Sequence, residues 1–149
     1  MTLSTRSIVS RILFLIGSLL SSTSLVAATL SFSGDFTQDD QVELFSFSVD
    51  VPSLVLINTY SYNGGGQANG NNVSSGGFDP LLALFDSTGA LIKQDDDSGE
   101  ESDAQIFILL EPGDYTASLA QLENFANGPN LSDGFSRAGE SDYTGVEFG

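Results

Sequence analysis

The chain has 149 residues and carries 20 acidic residues against four basic ones, a formal net charge of −16, with no Cys and no His. This charge disfavours nucleic acid as a partner, because carboxylates and phosphates repel each other. The lack of His and Cys excludes a conventional catalytic triad, a thiol nucleophile and disulfide bonds, so we expect a protein that is not an enzyme.

Residues 1–28 are typical of a cleavable signal peptide. Arg6 and Arg11 precede an apolar run at residues 12–20, and small residues then lead to a Val-Ala-Ala cleavage box. The apolar run is shorter than the roughly 20 residues that span a bilayer. We therefore expect cleavage before Thr29, a secreted, extracellular or periplasmic product, and no membrane span after cleavage. An uncleaved membrane anchor is the alternative.

Residues 29–149 have the length and composition of a single domain. All 20 acidic residues lie in this part, with Lys93 and Arg137 as its only basic residues, so its charge is 2 − 20 = −18. The 11 Phe and four Tyr residues provide apolar area for a core. Apolar residues show no helical period, and short alternating runs are separated by turn residues. The pattern predicts an all-β sandwich.

Alternation of side chains places the predicted strands in chain order. Phe45 and Phe47 fall on one face of their segment and Ser46 on the other. Residues 54–62 are apolar on both faces at their start, which is typical of a central strand. The predicted strands are residues 29–33, 42–49, 54–62, 80–85, 90–94, 104–110 and 115–122, with a last short one near 143–148.

The turn at residues 86–89 ends in Gly and predicts a hairpin between two of these strands. With Phe85 opposite Ala90, counting outward places Asp79 opposite Asp96. Asp79 is therefore expected at the same end of the sheet as the neighbouring acidic residues.

Residues 63–77 form a Gly- and Asn-rich loop, either a mobile surface spacer or a binding loop for a polar ligand such as a glycan. Tyr60 and Tyr62 share one face of the strand that leads into it. They provide either core and cross-strand packing or an aromatic platform for sugar.

Four segments carry motifs in a characteristic order: FSFSVDVP at residues 45–52, DPLLALFD at 79–86, DDD at 95–97 and PGDYT at 112–116. In this order they resemble the bacterial pre-peptidase C-terminal (PPC) domain. GGFDP at 76–80 and NFANGPNLSDGF at 124–135 resemble more closely the DVUA-type family of small secreted bacterial proteins. The resemblance implies a jelly-roll-like β-sandwich outside the cytoplasm, without catalytic activity. Related PPC modules bind calcium.

An acidic cluster is the main candidate site. Calcium takes roughly six to eight oxygen ligands from carboxylates, carbonyls and water, and so many like charges repel unless a cation or solvent compensates them. The alternative is a solvated acidic loop that protects a sheet edge from aggregation. The candidate calcium ligands are Asp79, Asp95, Asp96, Asp97, Glu100 and Asp103.

The sequence as a whole predicts a secreted, non-catalytic binding or structural module of the bacterial cell envelope or extracellular space. The alternatives are a carbohydrate-binding adhesion module and a subunit of an extracellular assembly, with a glycan or an envelope protein as partner. A subunit is expected to expose an unpaired strand edge. The candidate ligand-binding residues are Tyr60, Tyr62, Asn124, Asn127 and Asp133. Tyr115 is expected to place its ring in the core and its hydroxyl on nearby backbone.

Overall fold

The protein is described from a computed structural model over residues 28–145. The predicted signal peptide up to residue 27 and the last four residues lie outside the described residues. The described part consists of strands, turns and one short 3₁₀ turn at Leu131–Asp133. Its strands are β1 (Glu43–Val49), β2 (Ser53–Asn58), β3 (Gly65–Gly66), β4 (Asn72–Val73), β5 (Pro80–Asp86), β6 (Leu91–Asp95), β7 (Gln105–Leu110) and β8 (Gly113–Gln121).

The strands form antiparallel sheets, which confirms the predicted all-β class. The larger sheet has four strands in the order β1-β8-β5-β6. Strands β2 and β7 form a second sheet of two strands, and β3 and β4 form a small hairpin within the Gly- and Asn-rich loop. In the part of the chain that is described, no helix is long and apolar enough to cross a membrane.

The main core lies between the four-stranded sheet and the β2–β7 sheet. Leu82 and Leu84 of β5 and Ala117 of β8 pack with Ile106 and Leu110 of β7 in one cluster of buried side chains. Successive side chains of a strand point to opposite faces, so each sheet contributes only alternate positions to this core. The arrangement is that of a β-sandwich.

Strand β5 is buried on both of its faces. Leu81, Ala83 and Phe85 alternate with the core residues Leu82 and Leu84, and every one of these side chains is at most 4% exposed. The second face of β5 is therefore covered by something other than the β2–β7 sheet.

Residues 122–145 provide this cover, and we call them the covering segment. The Leu91 N–H donates to the carbonyl of Pro129 at 2.7 Å, and the Leu131 N–H donates to the carbonyl of Gly89 at 2.7 Å. These bonds attach the segment to the turn between β5 and β6. It turns the larger sheet into the middle layer of the molecule.

Several predicted strands differ from the observed ones. Residues 29–33 and 143–145 contain no strand, so the prediction of strands there was wrong over the described positions. Strand β2 is not central: it pairs only with β7 among the described strands, and Leu54 and Leu56 face solvent. An apolar pattern indicates a preference for burial, but the number of neighbouring strands depends on distant parts of the chain.

The predicted register of the β5–β6 hairpin was also wrong. Phe85 lies opposite Leu91 and Leu84 opposite Lys93, because a bulge shifts the register between these pairs. A bulge adds one residue to one strand, and the sequence gives no clear signal for it. Asp95 consequently lies opposite Leu82.

Candidate functional site

Asp103, a predicted calcium ligand, is buried, with 3% of its surface exposed. Its carboxylate accepts hydrogen bonds from the Thr59 hydroxyl at 2.9 Å and from the backbone N–H groups of Ser61, Tyr62 and Asn63 at 2.8, 3.2 and 2.9 Å. A carboxylate with this many donors is well compensated for its burial. Asp103 therefore anchors the start of the Gly- and Asn-rich loop.

The neighbouring acids shape the loop between β6 and β7. Asp95 accepts hydrogen bonds from the hydroxyl and N–H of Ser98 at 2.5 and 3.1 Å and from the Gln105 N–H at 2.8 Å. Asp96 accepts one from the Asp97 N–H at 3.0 Å. These side chains act as acceptors for the loop's own backbone, as Asx-type turns do.

Glu100 reaches across to the Gly- and Asn-rich loop, where its carboxylate accepts a hydrogen bond from the Asn63 side chain at 3.1 Å. Within residues 28–145, no three acidic side chains are grouped so that they could hold a metal ion. The predicted calcium ligands thus lie near one another without forming a coordination shell of carboxylates.

Asp79 shares the electrostatic field of this cluster. Its burial, followed by the negative charges of Asp97, Asp96 and Asp103, raises the pKa of its carboxyl above the usual value of 3.8. The structure therefore brings Asp79 close to the acidic loop, as the hairpin pattern indicates.

A cleft of about 340 Å³ lies beside Asp79, at the end of β8. The Leu122 N–H donates to the Asp79 carbonyl at 2.8 Å, and the Tyr143 hydroxyl donates to the Leu122 carbonyl at 2.8 Å. Burial and then the charge of Asp39 raise the pKa of Tyr143 to about 12. The cleft is lined by Asp79, Gln121, Leu122, Glu123, Tyr143 and Thr144.

Asp39 is fully buried behind this cleft. Its Oδ2 atom accepts hydrogen bonds from the N–H and hydroxyl of Thr144 at 2.6 and 2.7 Å. Sequence reasoning missed Asp39, Gln121 and Tyr143. Asp39 and Thr144 are 105 positions apart, and no local motif signals a contact of that kind.

Two of the candidate ligand-binding residues are Tyr60 and Tyr62. The Tyr60 ring lies against Gly65, so that a β-carbon at this position would overlap the ring. Tyr62 is 42% exposed. Of the two rings, Tyr62 is the one that presents a large surface to solvent.

The other candidate ligand-binding residues hold the covering segment together. Asn124 is fully buried; its Nδ2 donates to the Asp40 carbonyl at 3.2 Å and its Oδ1 accepts from the Arg137 N–H at 2.9 Å. Asn127 is exposed and donates to the Asp133 carbonyl at 3.4 Å. The Asp133 carboxylate accepts from a backbone N–H just before the 3₁₀ turn, at 3.0 Å.

Tyr115 has the predicted structural role. Its hydroxyl donates to the Glu111 carbonyl at 2.7 Å, and its ring packs against the main core and stacks on Phe47 with centroids 5.7 Å apart. The hydrogen bond closes the turn between β7 and β8.

The outer side of the β2–β7 sheet carries four large apolar side chains, which we call the apolar face. They form two directly opposed cross-strand pairs, and the next pair, Asn58 and Gln105, is joined by a hydrogen bond of 3.0 Å. No acidic or basic residue occupies an outward position of these two strands. The apolar face consists of Leu54, Leu56, Phe107 and Leu109, which are 67, 54, 56 and 59% exposed.

Comparison of the chain with protein-family models, with curated proteins and with solved structures finds no match. The functional conclusions drawn next depend on the geometry of the apolar face, the cleft and the acidic loop.

Proposed function

We propose that the chain is a secreted, non-catalytic structural module of the bacterial envelope or extracellular space, and that copies of it join through the apolar face. The observation that carries this proposal is the exposure of four large apolar side chains on one face. Single exposed apolar residues are common, whereas contiguous patches mark interaction surfaces. The jelly-roll connectivity implied by the PPC resemblance belongs to the same proposal.

A second copy of the chain suits the apolar face for two reasons. The isologous contact of a twofold dimer places the same patch of both subunits in contact, and Leu54–Leu109 and Leu56–Phe107 present similar surfaces to each other under such an axis. The outward positions of β2 and β7 are uncharged, so carboxylates of two acidic copies stay outside the contact.

The edges of the β2–β7 sheet support the same occupant. Among the described strands, β2 and β7 each pair along one edge only. An unpaired edge offers N–H and C=O groups to another strand. Face-to-face and edge-to-edge contacts are therefore both available at this sheet.

A carbohydrate-binding role is the second candidate, and the exposed ring of Tyr62 beside the Gly- and Asn-rich loop favours it. Aromatic rings combine apolar area with a polar handle, as sugar-binding surfaces require. The calcium site in the acidic loop likewise stays a prediction.

Sedimentation velocity of residues 29–149 over a concentration series tests self-association. We expect dimers or larger species whose population rises with NaCl, because salt screens the repulsion between two copies of charge −18. Leu56→Ser and Phe107→Ser should each weaken association by about tenfold or more, the equivalent of about 1.4 kcal/mol.

Leu44→Ser is the matched control. Leu44 is 50% exposed but belongs to β1, in the other sheet, so its substitution should leave association unchanged. A monomer at every salt concentration would contradict the proposal. So would an association that is equally sensitive to Leu44→Ser and Leu56→Ser.

A further inference from the structure

Two side-chain oxygen atoms at the cleft beside β8 lack a hydrogen-bond partner. They are Asp79 Oδ1 and Gln121 Oε1, and both atoms are inaccessible to solvent. Gln121 is only 5% exposed and lines the cleft together with Asp79. Buried polar atoms are nearly always paired, so two unpaired acceptors at one cleft call for a common explanation.

The chemistry of these atoms limits what can satisfy them. A carboxylate oxygen and an amide oxygen both accept and cannot donate, so their partner must be a hydrogen-bond donor or a cation. Asp79 also lies in the negative field of Asp96, Asp97 and Asp103. Desolvating a carboxylate near other negative charges is costly unless an opposite charge compensates it. A cation is therefore favoured over a neutral donor.

A third oxygen ligand is available from Glu123, whose side chain also lines the cleft. Its Oε2 atom is paired with Arg137 in a salt bridge, which leaves the Oε1 atom for another partner. The cleft thus offers two carboxylates and one amide as oxygen donors.

We propose that the cleft at the end of β8 is a calcium site, with Asp79 Oδ1, Gln121 Oε1 and Glu123 as protein ligands and water in the remaining positions. Oxygen ligands alone select hard cations. Calcium accepts irregular shells of six to eight oxygens, whereas magnesium demands near-octahedral geometry. With three protein ligands, affinity belongs to the weak range of extracellular modules, a Kd of about 10⁻⁴ to 10⁻³ M.

This site is distinct from the acidic-loop site that the sequence predicts. The two share Asp79, but the cleft site draws on Gln121 and Glu123 and takes no ligand from the loop between β6 and β7. It is also independent of self-association, because the apolar face belongs to the other sheet.

Thermal unfolding of residues 29–149 in calcium, in magnesium at equal ionic strength, and in chelator tests the proposal. A ligand that binds only the native state raises the melting temperature by mass action, so we expect a rise that is specific to calcium. Gln121→Leu and Asp79→Asn should each weaken calcium binding by at least about tenfold, measured by isothermal titration calorimetry. Asp97→Asn, the control in the acidic loop, should change it less than about threefold.

The substitutions separate the two sites. Loss of the calcium response in Asp97→Asn but not in Gln121→Leu would overturn the cleft site in favour of the acidic loop. Equal responses to calcium and magnesium in every variant would overturn both, since screening alone then explains the effect.

Terbium luminescence provides a second readout that does not depend on stability. Tyr143 lines the cleft, so its ring should sensitise emission from Tb³⁺ bound there in place of calcium. We expect Tyr143→Phe to remove most of this emission and Tyr62→Phe to leave it intact. Emission that is unchanged by Tyr143→Phe would place the bound ion elsewhere and overturn the proposal.

Discussion

Asp103 shows how one buried carboxylate organises a loop. It gathers a hydroxyl and three backbone N–H groups from residues about 40 positions earlier in the chain. Without this acceptor, those N–H groups would be buried without partners. The same residue type in the same acidic run thus has a structural role that its neighbour Asp97, which is exposed, does not share.

Asp103→Asn tests this role. The amide keeps one oxygen but replaces the other with an N–H₂ group that faces donors, so we expect a loss of about 2 kcal/mol in the free energy of unfolding. Urea denaturation followed by tyrosine fluorescence measures it. Asp97→Asn should change the same quantity by less than about 0.5 kcal/mol; similar losses in the two variants would show that the hydrogen bonds of Asp103 contribute nothing special.

At the scale of elements, strand β5 connects the two halves of the interior. Leu84 faces the core between the sheets, and Phe85 faces the covering segment; both are fully buried. A strand that is covered on both sides reads as a continuous apolar run, and residues 80–85 have that composition. The covering segment, which contains almost no regular structure, therefore functions as a third layer.

Paired substitutions in β5 test whether that layer is part of the cooperative fold. Leu84→Ala and Phe85→Ala should both lower the free energy of unfolding, by about 2–5 and 3–5 kcal/mol respectively. Equilibrium urea denaturation measures both, with Ile92→Ala, at a 38% exposed position, as the control. If Phe85→Ala costs no more than Ile92→Ala, the covering segment is only loosely attached.

The elements that the sequence predicts well are those whose signal is local. Alternation at Phe45 and Phe47 predicts β1, and the acidic residue and Gly that bound residues 86–89 predict the turn, in which Asp86 accepts hydrogen bonds from the hydroxyl and N–H of Thr88 at 2.6 and 2.8 Å. The bulge in the β5–β6 hairpin and the single partner of β2 depend on distant packing. The same is true of the site: the acidic run is visible in the sequence, but Gln121 reaches the cleft only through the register of β8 with β5.

For the whole molecule, the dominant physical quantity is its excess of negative charge, −16 for the full chain and −18 after the predicted cleavage. Self-repulsion on this scale destabilises a compact state. Two carboxyl groups respond to it in opposite ways. The pKa of Asp79 is raised by burial and by its acidic neighbours, whereas hydrogen bonds from Thr88, then Ala90, lower the pKa of Asp86.

These two shifts predict opposite slopes of stability with pH on either side of 3.8, the ordinary pKa of both groups. Asp79 binds its proton more tightly in the folded state, so its contribution rises as pH falls from neutral towards 3.8. Asp86 binds its proton less tightly in the folded state, so its contribution is lost as pH falls below 3.8. Each slope is isolated by comparing the wild type with Asp79→Asn and with Asp86→Asn.

Urea denaturation between pH 3 and 7, in chelator and at low protein concentration because the isoelectric point is about 4.1, measures these differences. We expect the wild type to gain stability relative to Asp79→Asn as the pH falls towards 3.8, and to lose stability relative to Asp86→Asn below it. At neutral pH, Asp79→Asn should be the more stable protein in chelator, because the substitution removes a charge that its acidic neighbours oppose. Curves for the wild type and Asp79→Asn that run parallel over the whole range would mean that the acidic loop exerts no field on Asp79, and the electrostatic argument for a cation at the cleft would fail with it.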